Sequence, residues 1–300
     1  MKKTNITFNK FYKFFNIISS IFITISLLLL LFKGLNYGVD FKGGTLIELK
    51  TTDNQITISK LRQSLLNMNL GDVSVKQFGN ENDFLIKFEK KNDMKKDFIG
   101  EIKKDLIESI GSSFIFRRVE SVGPKVSTEL LKSGILAITL SLAAMLIYIW
   151  IRFEWQFSLG AILALFHDII ITLGLFSLFS LEINLSIVAA VLTIVGYSMN
   201  DTVVIFDRVR ENLIKFSDIK IFELTNISIN ETLSRTIITS ITTLLALLSI
   251  YFFGGEILKG FSLAMIFGVV FGTYSSIYIA NPVLVFLRVS QKTILKDDKD

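Results

Sequence analysis

The chain has 300 residues, of which 51% are hydrophobic and 20% charged, and its mean hydropathy of +0.55 is too high for a soluble domain of that length. It contains no Cys and one His, which excludes a disulfide framework, a thiolate metal site, a thiol nucleophile and a multi-histidine metal site; no metal, no cofactor and no enzyme activity are expected. The formal charge of +5 would suit nucleic acid in a soluble protein, but in a membrane chain Lys and Arg mostly record orientation, so no nucleic-acid partner is expected.

A bilayer crossing needs roughly 17–25 apolar residues, and six runs qualify: Phe14–Phe32, Gly134–Ile151, Phe157–Leu181, Ile183–Phe206, Thr236–Phe253 and Gly260–Leu287. With 27 Phe and 2 Pro, the chain suits long uninterrupted helices. The first run is preceded by Lys2, Lys3, Lys10 and Lys13, as a secretory signal would be. It is longer than a signal's apolar region and no small-residue cleavage site follows, so it is expected to stay as an anchor.

Basic residues set the orientation. Four Lys precede span one, Arg152 lies between spans two and three, and Arg208, Arg210, Lys215, Lys220 and Arg235 lie between spans four and five. Arg288, Lys292, Lys296 and Lys299 follow span six, whereas the opposite short loops hold Glu182 and, in the other, Glu256 with Lys259. Both termini are therefore expected in the cytoplasm, and the long segment between spans one and two outside. The expected organisation is an N-terminus with the first helix (1–33), an outer domain (34–132), spans two to six (133–288) with an amphipathic cytoplasmic connector (207–235), and a tail (289–300).

Within the outer segment, Thr45–Thr51 alternates as a half-buried strand, and Thr57–Leu70 reads as a helix capped by Ser59 and stopped by Gly71. Val73–Phe78 and Phe84–Glu89 are short strands joined by the turn-forming Gly79–Asp83. Asp93–Ile110 is amphipathic, with Phe98, Ile102, Leu106, Ile107 and Ile110 on one face and Gly111 as its stop, and Ser113–Ser121 is a last strand. The order βαββαβ is ferredoxin-like. Gly38–Gly44, with Asp40, Gly43 and Gly44, lacks the GK[ST] ending of a phosphate loop and reads as a tight turn using positive φ. Val122-Gly123-Pro124 reads as a linker before span two, where Ser127 or Thr128 would cap a helix with Glu129 in its first turn.

Chemistry concentrates in the spans. Asp201 follows Asn200 inside an apolar run, and the charges Asp207, Arg208, Arg210 and Glu211 begin six residues later. An intramembrane carboxyl is costly unless it faces a bundle interior, a partner or water, so Asp201 is read as a proton- or ion-handling group; a carboxylate reaching for the interface is the structural alternative. His167 and Asp168, near the middle of span three, are read either as a pair that locks helix packing or as a proton relay. Arg235 opens span five at a depth like that of Asp201, so an ion pair is geometrically open, against the alternative of an arginine reaching out to the interface. Span six carries Gly260, Ala264, Gly268, Gly272, Ser276 and Ala280 at every fourth position, a face that lets another helix approach, within the chain or from a partner subunit. Pro282 is expected to bend or loosen its end.

Five stretches, GVDFKGGT (38–45), SVGPKVSTELLKSG (121–134), LFHDIII (165–171), VGYSMNDTVVIFDRVREN (195–212) and ETLSRTIITS (231–240), resemble in order the SecD/SecF family of protein-export subunits, on its SecF side. Positions matching the family's motifs include Gly196, Asn200, Asp207, Arg208, Glu211 and Asn212. The resemblance implies one half of an arrangement related to resistance–nodulation–division transporters. It also implies pairing with SecD, work beside the SecYEG translocon and YajC on a translocating polypeptide, a bacterial inner-membrane location, and energy from the proton-motive force. It assigns proton coupling to the Asp of the NDT motif and the Arg of the RT motif, here Asp201 and Arg235. The rivals are a small-solute transporter half, though no second copy of the outer segment or of NDT occurs, and a non-conducting scaffold.

Overall fold

The computed structural model describes residues 5–52, 56–68, 70, 73–77, 82–88, 98–110, 114–216 and 218–294, with the side chains of residues 98, 99, 110, 256 and 257 left aside. Lys2, Lys3, the stops Gly71 and Gly111, most of the turn Gly79–Asp83, the first part of Asp93–Ile110, Lys296 and Lys299 lie outside the described residues. In chain order, a 3-10 turn (Phe8–Phe11) leads into α1 (Tyr12–Phe32), then β1 (Asn36–Tyr37), α2 (Val39–Lys42), β2 (Gly44–Thr51), α3 (Ile58–Asn67), β3 (Val73–Gln77), β4 (Asp83–Phe88), α4 (Phe98–Ile110) and β5 (Phe114–Val122). There follow α5 (Pro124–Arg152), α6 (Trp155–Leu178), β6 (Glu182–Ile183), α7 (Leu185–Lys215), α8 (Ile221–Phe253), α9 (Glu256–Ser275), a π-helical turn (Ser276–Ala280), α10 (Asn281–Phe286) and α11 (Gln291–Ile294). The chain divides into two compact units, Tyr37–Ile135 and the remainder.

The Tyr37–Ile135 unit is a four-stranded antiparallel sheet in the order β3-β4-β2-β5, which is the ferredoxin-like arrangement of its βαββαβ sequence. β2 lies between β4 and β5, so its side chains are nearly all buried, and Ile47, Leu49, Leu61, Leu65, Phe84, Ile86, Ile102 and Leu106 fill one core with α3 and α4. Three expectations are corrected. The α3 cap is Thr57, extended at φ −98°, whose hydroxyl accepts from the Lys60 amide at 3.3 Å, while Ser59 lies inside the helix; the cap must precede the first helical residue so that its oxygen faces the unpaired amides. Ile107 is 48% exposed, because the 100° step from Leu106 carries it off the buried face. Ser127 and Thr128 do not cap α5: the helix starts at Pro124, and both hydroxyls donate back to the Pro124 carbonyl at 2.9 Å. Proline suits a first helical position, where its missing N–H has no partner to lose.

The other unit is a helical bundle. Six helices are long and apolar enough to cross a membrane: Phe8–Phe32, Pro124–Arg152, Trp155–Leu178, Leu185–Lys215, Ile221–Phe253 and Leu258–Phe286. α6, α7 and α9 form the interior, while α1, α5 and α8 turn most of their Leu, Ile and Phe outward. The segment expected as an amphipathic connector is built as helix. α7 runs to Lys215 and α8 begins at Ile221, and Leu224, Ile229 and Leu233 of its polar first half enter the bundle core. The N-terminal stretch is stitched to that half: Asn230 Oδ1 accepts from the Ile6 amide at 2.9 Å, its Nδ2 donates to the Ile6 carbonyl at 2.8 Å, and Asn226 Oδ1 accepts from the Phe8 amide at 2.8 Å. The helical bonding widens to a π turn at Ser276–Ala280 immediately before Pro282. There Asn281 Nδ2 donates to the Ser276 carbonyl at 2.7 Å, supplying the kind of bond that a proline removes.

Candidate functional site

The interior helices meet at two carboxylates. Asp168, on α6, is 0% exposed, and three groups converge on it. Its Oδ2 accepts from Ser198 Oγ of α7 at 2.5 Å and from Ser275 Oγ of α9 at 2.8 Å, and its Oδ1 lies 2.8 Å from His167 Nδ1. A buried carboxylate is tolerated only with such donors, and each here arrives from a different direction. His167 is itself buried, its ring stacked on Tyr274 at 5.7 Å and edge-on to Phe271 at 6.5 Å. Its Nε2 has no hydrogen-bond partner among the described residues. Tyr274 carries the network to α1, sharing a 2.7 Å hydrogen bond with Ser19 Oγ and donating to the Phe15 carbonyl at 2.9 Å. His167 and Asp168 are thus hydrogen-bonded to each other inside a junction of four helices, an arrangement common to the packing pair and the proton relay read from the sequence.

Asp201 lies on α7 one turn beyond Ser198 and is also buried, at 3% exposure, yet it is poorly served. The one donor to its carboxylate among the described residues is Thr273 Oγ1 of α9, at 3.5 Å, and that hydroxyl is shared with Ser240 Oγ of α8 at 2.7 Å. Arg235 sits on the exposed side of α8. No ion pair joins Arg235 to Asp201, so the pair left open by the sequence is not formed and no bidentate arginine fixes the carboxyl as an anion.

The α7–α9 crossing places these groups. A Cβ on Gly268 would lie 2.2 Å from Ile194 Cγ1, one on Gly272 3.0 Å from Ser198 Cβ, and one on Gly260 3.3 Å from Ile187 Cδ1. Ala264 is fully buried on the same face, and Ser276 begins the π turn. The small face of span six, for which a partner subunit was one expectation, is seated on α7 of the same chain, because only there can backbones come close enough for Ser198 and Ser275 to share one carboxylate. Two further close approaches escaped the sequence reading: a Cβ on Gly160 would run into the Ala280 carbonyl of the π turn, and one on Gly174 into Ser26 of α1.

Beyond Asp201, the charged end of α7 is tied on three sides. Arg152 donates to Asp207 at 2.7 Å, Arg210 to Glu154 at 3.0 Å, and Arg208 to Glu231 at 2.7 Å and to Glu211 at 2.5 Å. Asn212 Nδ2 donates to Ser228 Oγ at 2.9 Å and to Glu231 at 2.8 Å. Asp207, Arg208, Arg210 and Asn212 therefore hold α7 to α8 and to the α5–α6 corner, and Glu211 braces Arg208 from within α7. Gly196 and Asn200 are not brought to Asp201; both are exposed, and a Cβ on Gly196 would meet nothing. In the other unit, Asp40 lies in the first turn of α2, and Gly43 and Gly44 take φ of +79° and +136°. A Cβ on Gly43 would lie 3.3 Å from Ser127 Oγ and 3.4 Å from Pro124 Cα, so two separate sequence motifs make one junction. Gly123 and Pro124 form its far side, Gly123 with open space beside it.

This combination, a βαββαβ unit and six helices long enough to cross a membrane, has known counterparts. The family model described as "Protein export membrane protein SecD/SecF, C-terminal" matches residues 102–290, and the "SecD/SecF GG Motif" matches 28–54. The chain belongs to the SecF branch of the SecD/SecF family. A protein translocase subunit SecF of Calditerrivibrio nitroreducens is 45% identical over 96% of this chain and 96% of its own length. The SecF subunits of Cereibacter sphaeroides and Rickettsia bellii are 43% and 48% identical over 89% and 83% of this chain and 84% and 82% of theirs. Among solved structures, SecDF from Thermus thermophilus, a translocon-associated membrane protein, superimposes with a TM-score of 0.85 at 34% identity over 95% of this chain. A SecDF structure in a super-membrane-facing form gives 0.70 at 33% identity. The chain spans 39% of each of those SecDF chains.

The hydroxyls that serve the two carboxylates, Ser198, Ser240, Thr273 and Ser275, were missed in the sequence. Their signal was weak: single Ser and Thr in apolar runs, which satisfy themselves equally well on their own helix backbone.

Proposed function

We propose that this chain is the SecF partner of SecD in a bacterial inner-membrane heterodimer, with both termini cytoplasmic, that assists SecYEG and YajC in moving polypeptides across the membrane. The energy source is the proton-motive force, with no cofactor and no enzyme activity. Asp201 carries the proton and Arg235 biases its charge state. His167 and Asp168 position the helices on which Asp201 sits. The observation that carries this reading is a buried carboxylate, Asp201, with one shared hydroxyl at 3.5 Å and no ion pair among the described residues. A charged and a neutral Asp201 prefer different surroundings, so protonation shifts the balance between helix arrangements. One charge crossing 100 mV supplies about 2.3 kcal/mol, enough to bias such a balance several-tens-fold.

The test is proton conductance in vesicles containing this chain with SecD, compared with the Asp201→Asn complex. Loss of conductance with the complex intact supports the proposal; equal conductance leaves a non-conducting scaffold as the better account. Arg235→Lys, which keeps the charge but not the planar donor fork, is expected to be milder than Arg235→Met. Because the chain has no native Cys, orientation can be read from single cysteines. One at Glu108 should label from outside, and one at Lys220 only after permeabilisation.

A further inference from the structure

We propose that the segment Ile6–Tyr12 is a latch that fixes α8 against the π turn of span six, with Asn226 and Asn230 as positioning residues for the site at Asp201. The inference rests on the reading of Asp201 as the working carboxyl and deepens it. The segment runs along α8 in the opposite direction: Ile6 lies at Asn230, Phe8 at Asn226 and Asn9 at Phe222. Those three α8 positions are four residues apart and so share one face of the helix. Every one of the bonds between them uses main chain on one side. Asn226 Oδ1 accepts from the Phe8 amide at 2.8 Å, and Asn9 Nδ2 donates to the Phe222 carbonyl at 3.0 Å. Asn230 engages both polar groups of Ile6, accepting from its N–H at 2.9 Å and donating to its carbonyl at 2.8 Å, as the facing residue of an antiparallel strand would. Its Nδ2 is also held at 2.8 Å from the Asn226 carbonyl.

The apolar side of the same segment grips a different element. Phe8 and Tyr12 are buried, and their rings stand edge-on to Tyr278 of the π turn at 6.3 and 6.4 Å. One short segment thus holds α8 by hydrogen bonds and the π turn by aromatic packing. Both elements serve Asp201. The π turn begins three residues after Thr273, and Ser276 Oγ donates to the Thr273 carbonyl at 3.0 Å. α8 carries Ser240, which shares the Thr273 hydroxyl with Asp201. The Thr273–Ser240 bond crosses between the two helices, so it exists only while they keep this register. A π turn is a place where a helix readily changes its winding, and the latch clamps it there.

The experiment uses the full-length chain with SecD in vesicles, carrying Ser240→Cys as the one thiol of this chain, which has no native Cys. Ser240 is buried against span six, so its rate of modification by a small methanethiosulfonate measures how often α8 and span six part. Asn226→Leu should raise that rate about fivefold, the factor carried by one net hydrogen bond, with helix content and SecD co-purification unchanged. Asn226→Asp keeps the acceptor for the Phe8 amide and should restore the parent rate. Ile6→Thr should leave the rate as it is, because α8 reads the main chain at that position. If Asn226→Leu does not assemble, Asn230→Ala reads the same quantity from the outer end of the segment. With Ser240 in place, Asn226→Leu should also move the pH midpoint of proton conductance by up to about 0.7 unit, the same factor on a logarithmic scale; a purely structural role would lower only the amplitude. An unchanged labelling rate in Asn226→Leu with Asn230→Leu, or equal rates in Asn226→Asp and Asn226→Leu, would overturn the latch. Faster labelling with an unmoved midpoint would overturn its hold on Asp201. Full conductance in Asp201→Asn beside the expected labelling would sink the reading of Asp201 and leave the latch standing.

Discussion

Asp168 and Asp201 occupy the same bundle, both are buried and both bond to a hydroxyl of α9, yet their surroundings differ sharply. Asp168 has hydroxyls at 2.5 and 2.8 Å and an imidazole at 2.8 Å. Asp201 has one shared hydroxyl at 3.5 Å. Their donors are near neighbours in the chain: Ser198 is one turn before Asp201 on α7, and Thr273 and Ser275 are two residues apart on α9. The difference in their hydrogen bonding arises from which hydroxyls face each carboxylate. A carboxylate with all its lone pairs engaged is a pin between helices; one left under-coordinated beside a distant positive charge can change state without dismantling the packing around it.

That contrast can be broken most severely at Asp201. Asp201→Asn should reduce proton-driven export assistance to background, measured as translocation rate with the membrane potential intact, while the complex with SecD still assembles; wild-type export from this variant would sink the contrast. Next in size, Gly268→Leu pushes a side chain into Ile194 and separates α7 from α9. A stability loss of about 3 kcal/mol is expected from overpacking of this kind, read as a lowered denaturation midpoint in detergent. If instead the variant is as stable as the parent but loses SecD on co-purification, the small face serves a partner after all.

Asp168→Asn should show the mirror image of Asp201→Asn. The amide cannot serve both serines and the imidazole, so about 2 kcal/mol of stability should be lost, with export falling only in proportion to the folded fraction. Should export vanish while stability holds, Asp168 is a working group as well as a pin. The smallest effect is expected from Thr273→Val. It removes the long hydrogen bond to Asp201 and keeps the side-chain shape, so export should change by no more than about twofold, the scale of a weak hydrogen bond already shared with Ser240; a larger loss would mean that the shared Thr273–Ser240 pair holds Asp201 in place.

The two units also differ in how much of them could be read beforehand. In Tyr37–Ile135 the alternation of apolar and polar residues marked each strand and the α3 and α4 helices, because water on one side and a core on the other impose a period. Errors there were local, such as Ser59 for Thr57, since a cap depends on one residue's backbone angles. In the bundle, length alone revealed six spans, since a membrane crossing needs only a long enough apolar run, and Asp201, Asp168 and His167 stood out because polar groups are rare in such runs. Which way each helix is turned was not written in the sequence, because lipid and bundle interior are equally apolar and leave no stripe to read. Only the folded chain decided that Ser198 and Ser275, 30 and 107 residues from Asp168, are its partners. It also decided that the glycines of span six seat on α7, that Asn200 is exposed while Asp201 is buried, and that Arg235 forms no ion pair with Asp201. Each of these rests on helix rotation and on contacts a few ångströms long between residues far apart in the chain, which hydropathy does not encode.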